Sequence, residues 1–381
     1  MPTDVFPALD EILNTRDGAA ALDFLIERFQ TSGEYGLLFE ARLMKKRFDL
    51  GLPLIQTDSI AAETYQSAVV GIARDTGRLF LEAGNIERAW PYFRAISEPD
   101  PVAAAIEKVE PAAGAPESGE GFDSIVAIAF HEGVHPLKGL ELLLAQHGMC
   151  RAITAFGMQA VTKDREHCIA LLANSIHREI VERIDRAIEA SGGALPVTRN
   201  LVELMEGRDW LFGEWDYYVD TSHLVSVIPY GTEVKDPALL ETFHQLCQYG
   251  KHLAPQFHSP GVAPFEKQYE AYDHYFLALM GIEVEDHLDY FRKQAAESDP
   301  EVVGDAPGRA LVKLLVAIGR PAEALDVLLN FVFEDAPYGV PVPSALQLCY
   351  QSKDFGRLTG LAKDRGDLLS YAAGRILTQP K

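Results

Sequence analysis

The sequence predicts an all-α protein built from antiparallel helix pairs, and three observations carry that prediction. Apolar residues recur at helical spacing through most of the chain, alternating β-branched runs between hairpin turns are scarce, and glycine-centred breaks separate segments of helix length. The stretch "GAAALDFLIERF" shows the period: Leu22, Leu25, Ile26 and Phe29 fall at i, i+3, i+4 and i+7, which is one face of a helix. "HREIVERIDRAIEA", "ALLETFHQLCQYGKHL" and "RALVKLLVAIG" repeat the pattern.

Residues 70–101, "VGIARDTGRLFLEAGNIERAWPYFRAISEPDP", are more specific. Small Gly77 lets two helices approach, Phe80 packs across, Gly84 turns the chain, Ala89 and Phe93 face back, and Pro101 ends the unit. This stretch resembles a tetratricopeptide repeat, a 34-residue helix pair, although Ala73 stands where that family favours Trp. A second, weaker match covers 309–337, with Gly319 as its turn, Ala324 as its close-packing residue and Pro337 as its terminator. The same rhythm recurs around Gly133 and Gly281. Helix pairs that cannot bury their faces alone stack into an α-solenoid, and the resemblance implies a protein that binds other proteins or peptides in a concave groove.

Two segments break the rhythm. Residues 109–122, "VEPAAGAPESGEGF", have nothing to bury, so the expected organisation is a helical block over 1–108, a linker or exposed loop over 109–121, and a larger helical-repeat block over 122–381. In "QFHSPGVAPFEKQ", residues 256–268, Pro260 and Pro264 rule out a helix, and the loop is a plausible lid or wall for a groove.

Composition narrows the function. A chain of 381 residues is too long for one small core, and at 48% hydrophobic and 24% charged it is globular. A net charge of −22 with no basic run disfavours nucleic acid as a partner. The four cysteines, Cys150, Cys168, Cys247 and Cys349, are widely spaced and read as reduced thiols. Cys168 follows His167 directly, and helix neighbours point about 100° apart, so the two are not a dyad. With no signal-peptide pattern and no long apolar run, the expectation is a cytoplasmic protein that does not insert into a membrane.

The stretch "AFHEGVHPLKG" spells H-E-x-x-H with His131, Glu132 and His135. In zinc proteases both histidines lie one turn apart on a continuous helix and the glutamate activates water. Here that helix would run through Gly133 into Pro136, where the ring would clash with the Glu132 carbonyl at a cost of ~3 kcal/mol. As a turn the same residues are well placed: Gly133 closes one helix, His135 sits near a cap, and Pro136 opens the next.

Histidine and carboxylate groups nevertheless recur. If "GEWDYYVDTSHLVSVIPY", residues 213–230, is helical, Asp220 and His223 share a face. In "YEAYDHYF", Asp273 and His274 lie mid-helix, and His274 aligns with Gly77 of the better repeat, which makes it a packing residue first. A curved array that gathered His131, His135, Asp220, His223 and His274 would suit Zn, Fe or Mn, with Glu132 as the catalytic group. The leading expectation is a binding module for a peptide, a protein or a small polar molecule, with Trp215, Tyr217, Tyr218, His258 and Tyr272 as groove residues. The alternatives are a metal-dependent hydrolase or lyase, and a purely structural array in which the histidines serve packing. No esterase, NTPase or dinucleotide motif is present.

Overall fold

The structure, a computed structural model, describes residues 5–54, 63–110, 120–198, 200–332 and 341–379. Among these residues there are twenty α-helices and no β-strand. The chain divides into two compact units, Met1–Cys168 and Ile169–Lys381. The linker expected over 109–121 therefore falls inside the first unit, and its residues 111–119 lie outside the described residues.

The first unit holds α1 (Phe6–Thr15), α2 (Gly18–Ser32), α3 (Tyr35–Asp49), α4 (Glu63–Glu82), α5 (Ile86–Ala95), α6 (Asp100–Ile106), α7 (Glu120–Val126) and α8 (Pro136–Met158). Each packs mainly on its neighbours in sequence. Short turns enforce this order. Asp17 caps α2 by accepting a bond from the Ala20 amide at 2.9 Å, and Gly33 ends that helix with a left-handed φ of 72°. The 70–101 pair forms as its residues require. A Cβ on Gly77 would lie 2.6 Å from the Phe93 ring, so α4 and α5 touch only because that position is glycine. Phe80, Ala89 and Phe93 are buried in one core with Val102 and Ile106. Pro101 differs from expectation: it sits in the first turn of α6, where its missing N–H costs nothing, and so opens the next helix.

The helix α9 (Arg165–Ala190) contains the division between the units. The second unit continues with α10 (Leu201–Met205), α11 (Thr221–Val227), a 3₁₀ turn at Ile228–Glu233, α12 (Pro237–His252), α13 (Gln268–Leu279), α14 (Val284–Glu297) and α15 (Pro300–Val303). It ends with α16 (Ala306–Ala317), α17 (Pro321–Phe331), α18 (Ala345–Ser352), α19 (Phe355–Asp364) and α20 (Leu368–Leu377). Here too α12 packs on α13, α13 on α14, and α16 to α20 each on the next. Gly281 and Gly319 turn their pairs with φ of 77° and 79°, and Ala324 is buried as expected. Pro337 lies outside the described residues. The ring of Tyr269 occupies the place a Cβ on Gly250 would take, which draws α12 and α13 together.

Candidate functional site

The H-E-x-x-H stretch is a turn. Ala127–His131 form a π-helical turn in which the Glu132 amide reaches back to the Ala127 carbonyl at 2.9 Å. Gly133 follows with φ of 74°, His135 is the N-cap of α8, and Pro136 takes its first position. Gly139 lets α8 sit on that turn, since a Cβ there would meet the Phe130 backbone nitrogen at 2.7 Å. Glu132 accepts a bond from Trp90 Nε1 at 2.9 Å and pairs with Arg94 at 2.9 Å, which ties the turn to α5. His135 Nε2 lies 2.8 Å from Glu107. His131 is exposed, with its ring edge-on to Phe130. These three residues belong to the first unit, whereas Asp220, His223 and His274 belong to the second. Within neither unit do three described His, Cys, Asp or Glu side chains gather at metal-ligand distance.

In the second unit the segment before Thr221 is irregular, so Asp220 is the N-cap of α11 and does not lie within it. Its carboxylate accepts bonds from the Ser222 hydroxyl at 2.7 Å and the Ser222 amide at 2.9 Å, and these hold its pKa below the ordinary aspartate value. Asp220 and His223 line one cavity of about 540 Å³ with Glu179, Arg183, Tyr217, Thr221 and Phe257. Trp215 is exposed. Tyr218 faces inward: its hydroxyl donates to the Leu211 carbonyl at 3.1 Å, and its amide donates to the Tyr249 hydroxyl at 2.8 Å. Tyr272 is likewise a core residue, stacked on Phe265 with centroids 4.1 Å apart.

The most organised polar cluster centres on Asp273, buried on α13. His244 Nδ1 lies 2.6 Å from Asp273 Oδ1, and Gln248 Nε2 donates to Oδ2 at 2.8 Å. The Lys251 ammonium shares Oδ2. His244, Gln248 and Lys251 stand at i, i+4 and i+7, a polar stripe along one face of α12. Burial alone would raise the Asp273 pKa, but the His244 and Lys251 contacts outweigh it and the net direction is down. The stripe is visible in the sequence, and a buried mid-helix aspartate demands such partners; that requirement is the signal sequence reasoning passed over.

His274, beside Asp273, meets His287 with the two Nδ1 atoms 2.7 Å apart. One Nδ1 must carry the hydrogen and the other accept it. His287 Nε2 is enclosed and has no partner among the described residues. A hydrogen on that nitrogen would be a buried unused donor, so His287 donates from Nδ1 and His274 accepts. Burial, then the neighbouring His287, pushes the His274 pKa down. Burial also depresses His177, only partly offset by its bond to Gln245 at 2.9 Å.

A depressed histidine pKa means that the unfolded chain takes up the proton first as pH falls below its ordinary value of about 6.5. Stability is therefore expected to fall below about pH 6.5, with a slope no steeper than about 1.4 kcal/mol per pH unit for each imidazole. Urea titrations from pH 8 to 5 check this, and His177→Gln should flatten the slope. The Asp273 pKa is also lowered in the folded chain, so its contribution is lost in the same direction, as pH falls, but only once the pH drops through the ordinary aspartate value of about 3.9 and below.

Beside this cluster lies a cavity of about 770 Å³, lined by Lys251, the loop residues His258, Ser259, Pro260, Glu266 and Lys267, and the first turn of α13 with Gln268, Tyr269 and Glu270. Its volume falls within the range of about 300–1,000 Å³ usual for small-molecule sites. The 256–268 loop is irregular after a 3₁₀ turn at Pro255–Phe257, and it walls both cavities, Phe257 facing one and His258 the other. Cys168 is buried, and burial pushes its thiol up to about 12, so it is no nucleophile. No described helix is long and apolar enough to cross a membrane.

The class defined so far is an all-helical protein whose helices pack on their sequence neighbours. Compared with protein-family models, with curated proteins and with solved structures, the chain matches none.

Proposed function

We propose that this chain is a helical-repeat binding module whose cavity beside Lys251 takes a small polar ligand or the polar end of a peptide. The observation that carries the proposal is the joining of a ligand-sized cavity to a buried charge network through one residue, Lys251. Asp273 fixes the Lys251 ammonium, while Tyr269 and His258, whose rings meet edge-on at 5.4 Å, give an apolar wall beside the polar groups. Neighbour-on-neighbour packing and the tetratricopeptide-like pair at 70–101 support a stacked array as the scaffold.

A second reading has one specific observation in its favour. A carboxylate fixing His244 Nδ1 leaves Nε2 as the basic nitrogen, the arrangement of an oriented general base. This keeps a hydrolase or lyase open without a metal.

One experiment serves both readings. A panel of small polar solutes and short peptides is screened by thermal shift, and hydrolysis products are followed by mass spectrometry. The binding reading expects at least one stabilising solute whose affinity drops about tenfold or more, roughly 1.4 kcal/mol, in His258→Ala. A panel in which nothing stabilises the protein, or affinity unchanged in that variant, removes the cavity as the site. Turnover that disappears in His244→Gln would favour the enzyme.

A further inference from the structure

The cavity beside Lys251 is lined by groups of both signs, and two of them have bonding capacity to spare. Asp273 holds the Lys251 ammonium through one of its three N–H donors. The other two have no partner among the described residues. Glu266 stands exposed on the same wall, and its carboxylate joins no hydrogen bond or ion pair among the described residues. Lys267 and Glu270 are different, since they lie 3.2 Å apart and offset each other. An exposed carboxylate ordinarily faces water alone, but this one shares a ligand-sized cavity with a fixed ammonium.

The local charge limits what can enter. Lys251 and Lys267 are set against Glu266, Glu270 and the Asp273 that holds Lys251, two cations against three anions in a chain of net charge −22. That sum repels a ligand of net negative charge, whereas a simple cation would leave the Lys251 donors unmet. A zwitterion is neutral as a whole and meets both groups. The backbone adds to this. Helix α13 begins at Gln268 without a side-chain cap, and its first turn lines the cavity with amides that carry partial positive charge. Residues 266–270 are consecutive and all lie on the cavity wall, the Glu266 and Gln268 Cα atoms no more than about 7 Å apart. Opposite charges attached to one carbon suit so short a span, and charges at the two ends of a peptide do not.

We infer that the cavity takes a free α-amino acid, an inference that rests on the binding reading above. The ligand carboxylate meets Lys251 and the first-turn amides of α13, and its ammonium meets Glu266. The rings of His258 and Tyr269 form the wall that receives an apolar side chain.

Isothermal titration calorimetry on the full chain tests this with the common α-amino acids. At least one apolar amino acid should bind with a Kd below about 1 mM. Its decarboxylated amine and its deaminated acid (for phenylalanine, phenethylamine and 3-phenylpropanoate) should each bind about tenfold or more weakly. Glu266→Gln should close the gap between the amino acid and the acid while keeping the gap to the amine. Lys251→Met should narrow the gap to the amine and keep the other. A merely structural role for either residue would weaken all three ligands together, and that outcome overturns the inference. So does the absence of any amino acid binding below about 1 mM, or a single-charge analogue that binds as tightly as its amino acid. His258→Ala separates this failure from failure of the cavity. An analogue that binds as tightly and loses about tenfold in that variant keeps the cavity and removes only the zwitterion. An amino acid whose affinity is unchanged in His258→Ala binds elsewhere, and both readings fall.

Discussion

Asp273→Ala should destabilise the second unit by about 2–4 kcal/mol, with hydrogen exchange rising in α12 and α13 first. Removing one partner of a buried pair costs about 3–5 kcal/mol because the opposite charge is left without its counterion. The expected value is set lower because the Lys251 side chain is about one-third exposed and solvent screens it. His244 and Gln248 also lose their acceptor. Replacing Lys251 with Met leaves Asp273 the other two contacts and should cost less. If urea denaturation finds Asp273→Ala within about 0.5 kcal/mol of wild type, the cluster is no anchor, and the fixed Lys251 invoked for the cavity loses its basis.

The α4–α5 pair gives the second large effect. Phe93 is fully buried, so Phe93→Ala should cost about 3–5 kcal/mol. Gly77→Ala should cost about 1–3 kcal/mol by overpacking, because the new methyl meets the ring of Phe93. The two positions share one contact, so their effects are coupled. Shortening the ring with Phe93→Leu makes room for the methyl. The double variant Gly77→Ala/Phe93→Leu should therefore lose less than the sum of its singles by about 0.5 kcal/mol or more. Strict additivity in denaturant titrations would mean that the glycine is not there for the approach of the helices.

These residues also show what the sequence makes legible. Gly77 with Phe93, Gly133 with Pro136, and Gly319 with Ala324 are local signals, each a backbone or steric requirement met within one helix pair, and the structure places each as its chemistry demands. Asp220 was harder to place. Its spacing to His223 fits a helix face, but a carboxylate two residues before an amide it can accept from also makes an N-cap, and the cap prevailed. Pro101 shows the same ambiguity, since proline marks a helix start as readily as a stop.

The candidate site was less legible for a different reason. Asp273 and His274 are sequence neighbours, yet they point to different partners, His244 on α12 and His287 on α14. Which residues of α12 face α13 depends on a packing register that periodicity alone leaves free. Tyr218 and Tyr272 turn inward because each ring has a specific neighbour, the Leu211 carbonyl in one case and the Phe265 ring in the other. The irregular course of the 256–268 loop was readable because Pro260 and Pro264 forbid a helix between α12 and α13, which still pack on each other.

The order in which helices meet has a consequence for how the chain comes into being. Within each unit nearly every substantial contact joins elements adjacent or nearly adjacent in sequence. Structure dominated by local contacts closes short loops and forms fast. As the polypeptide leaves the ribosome, α2 can close on α3, and α4 on α5, long before α20 has been translated. Each finished pair then offers the next a surface to fold against, so little of the apolar chain waits exposed during synthesis.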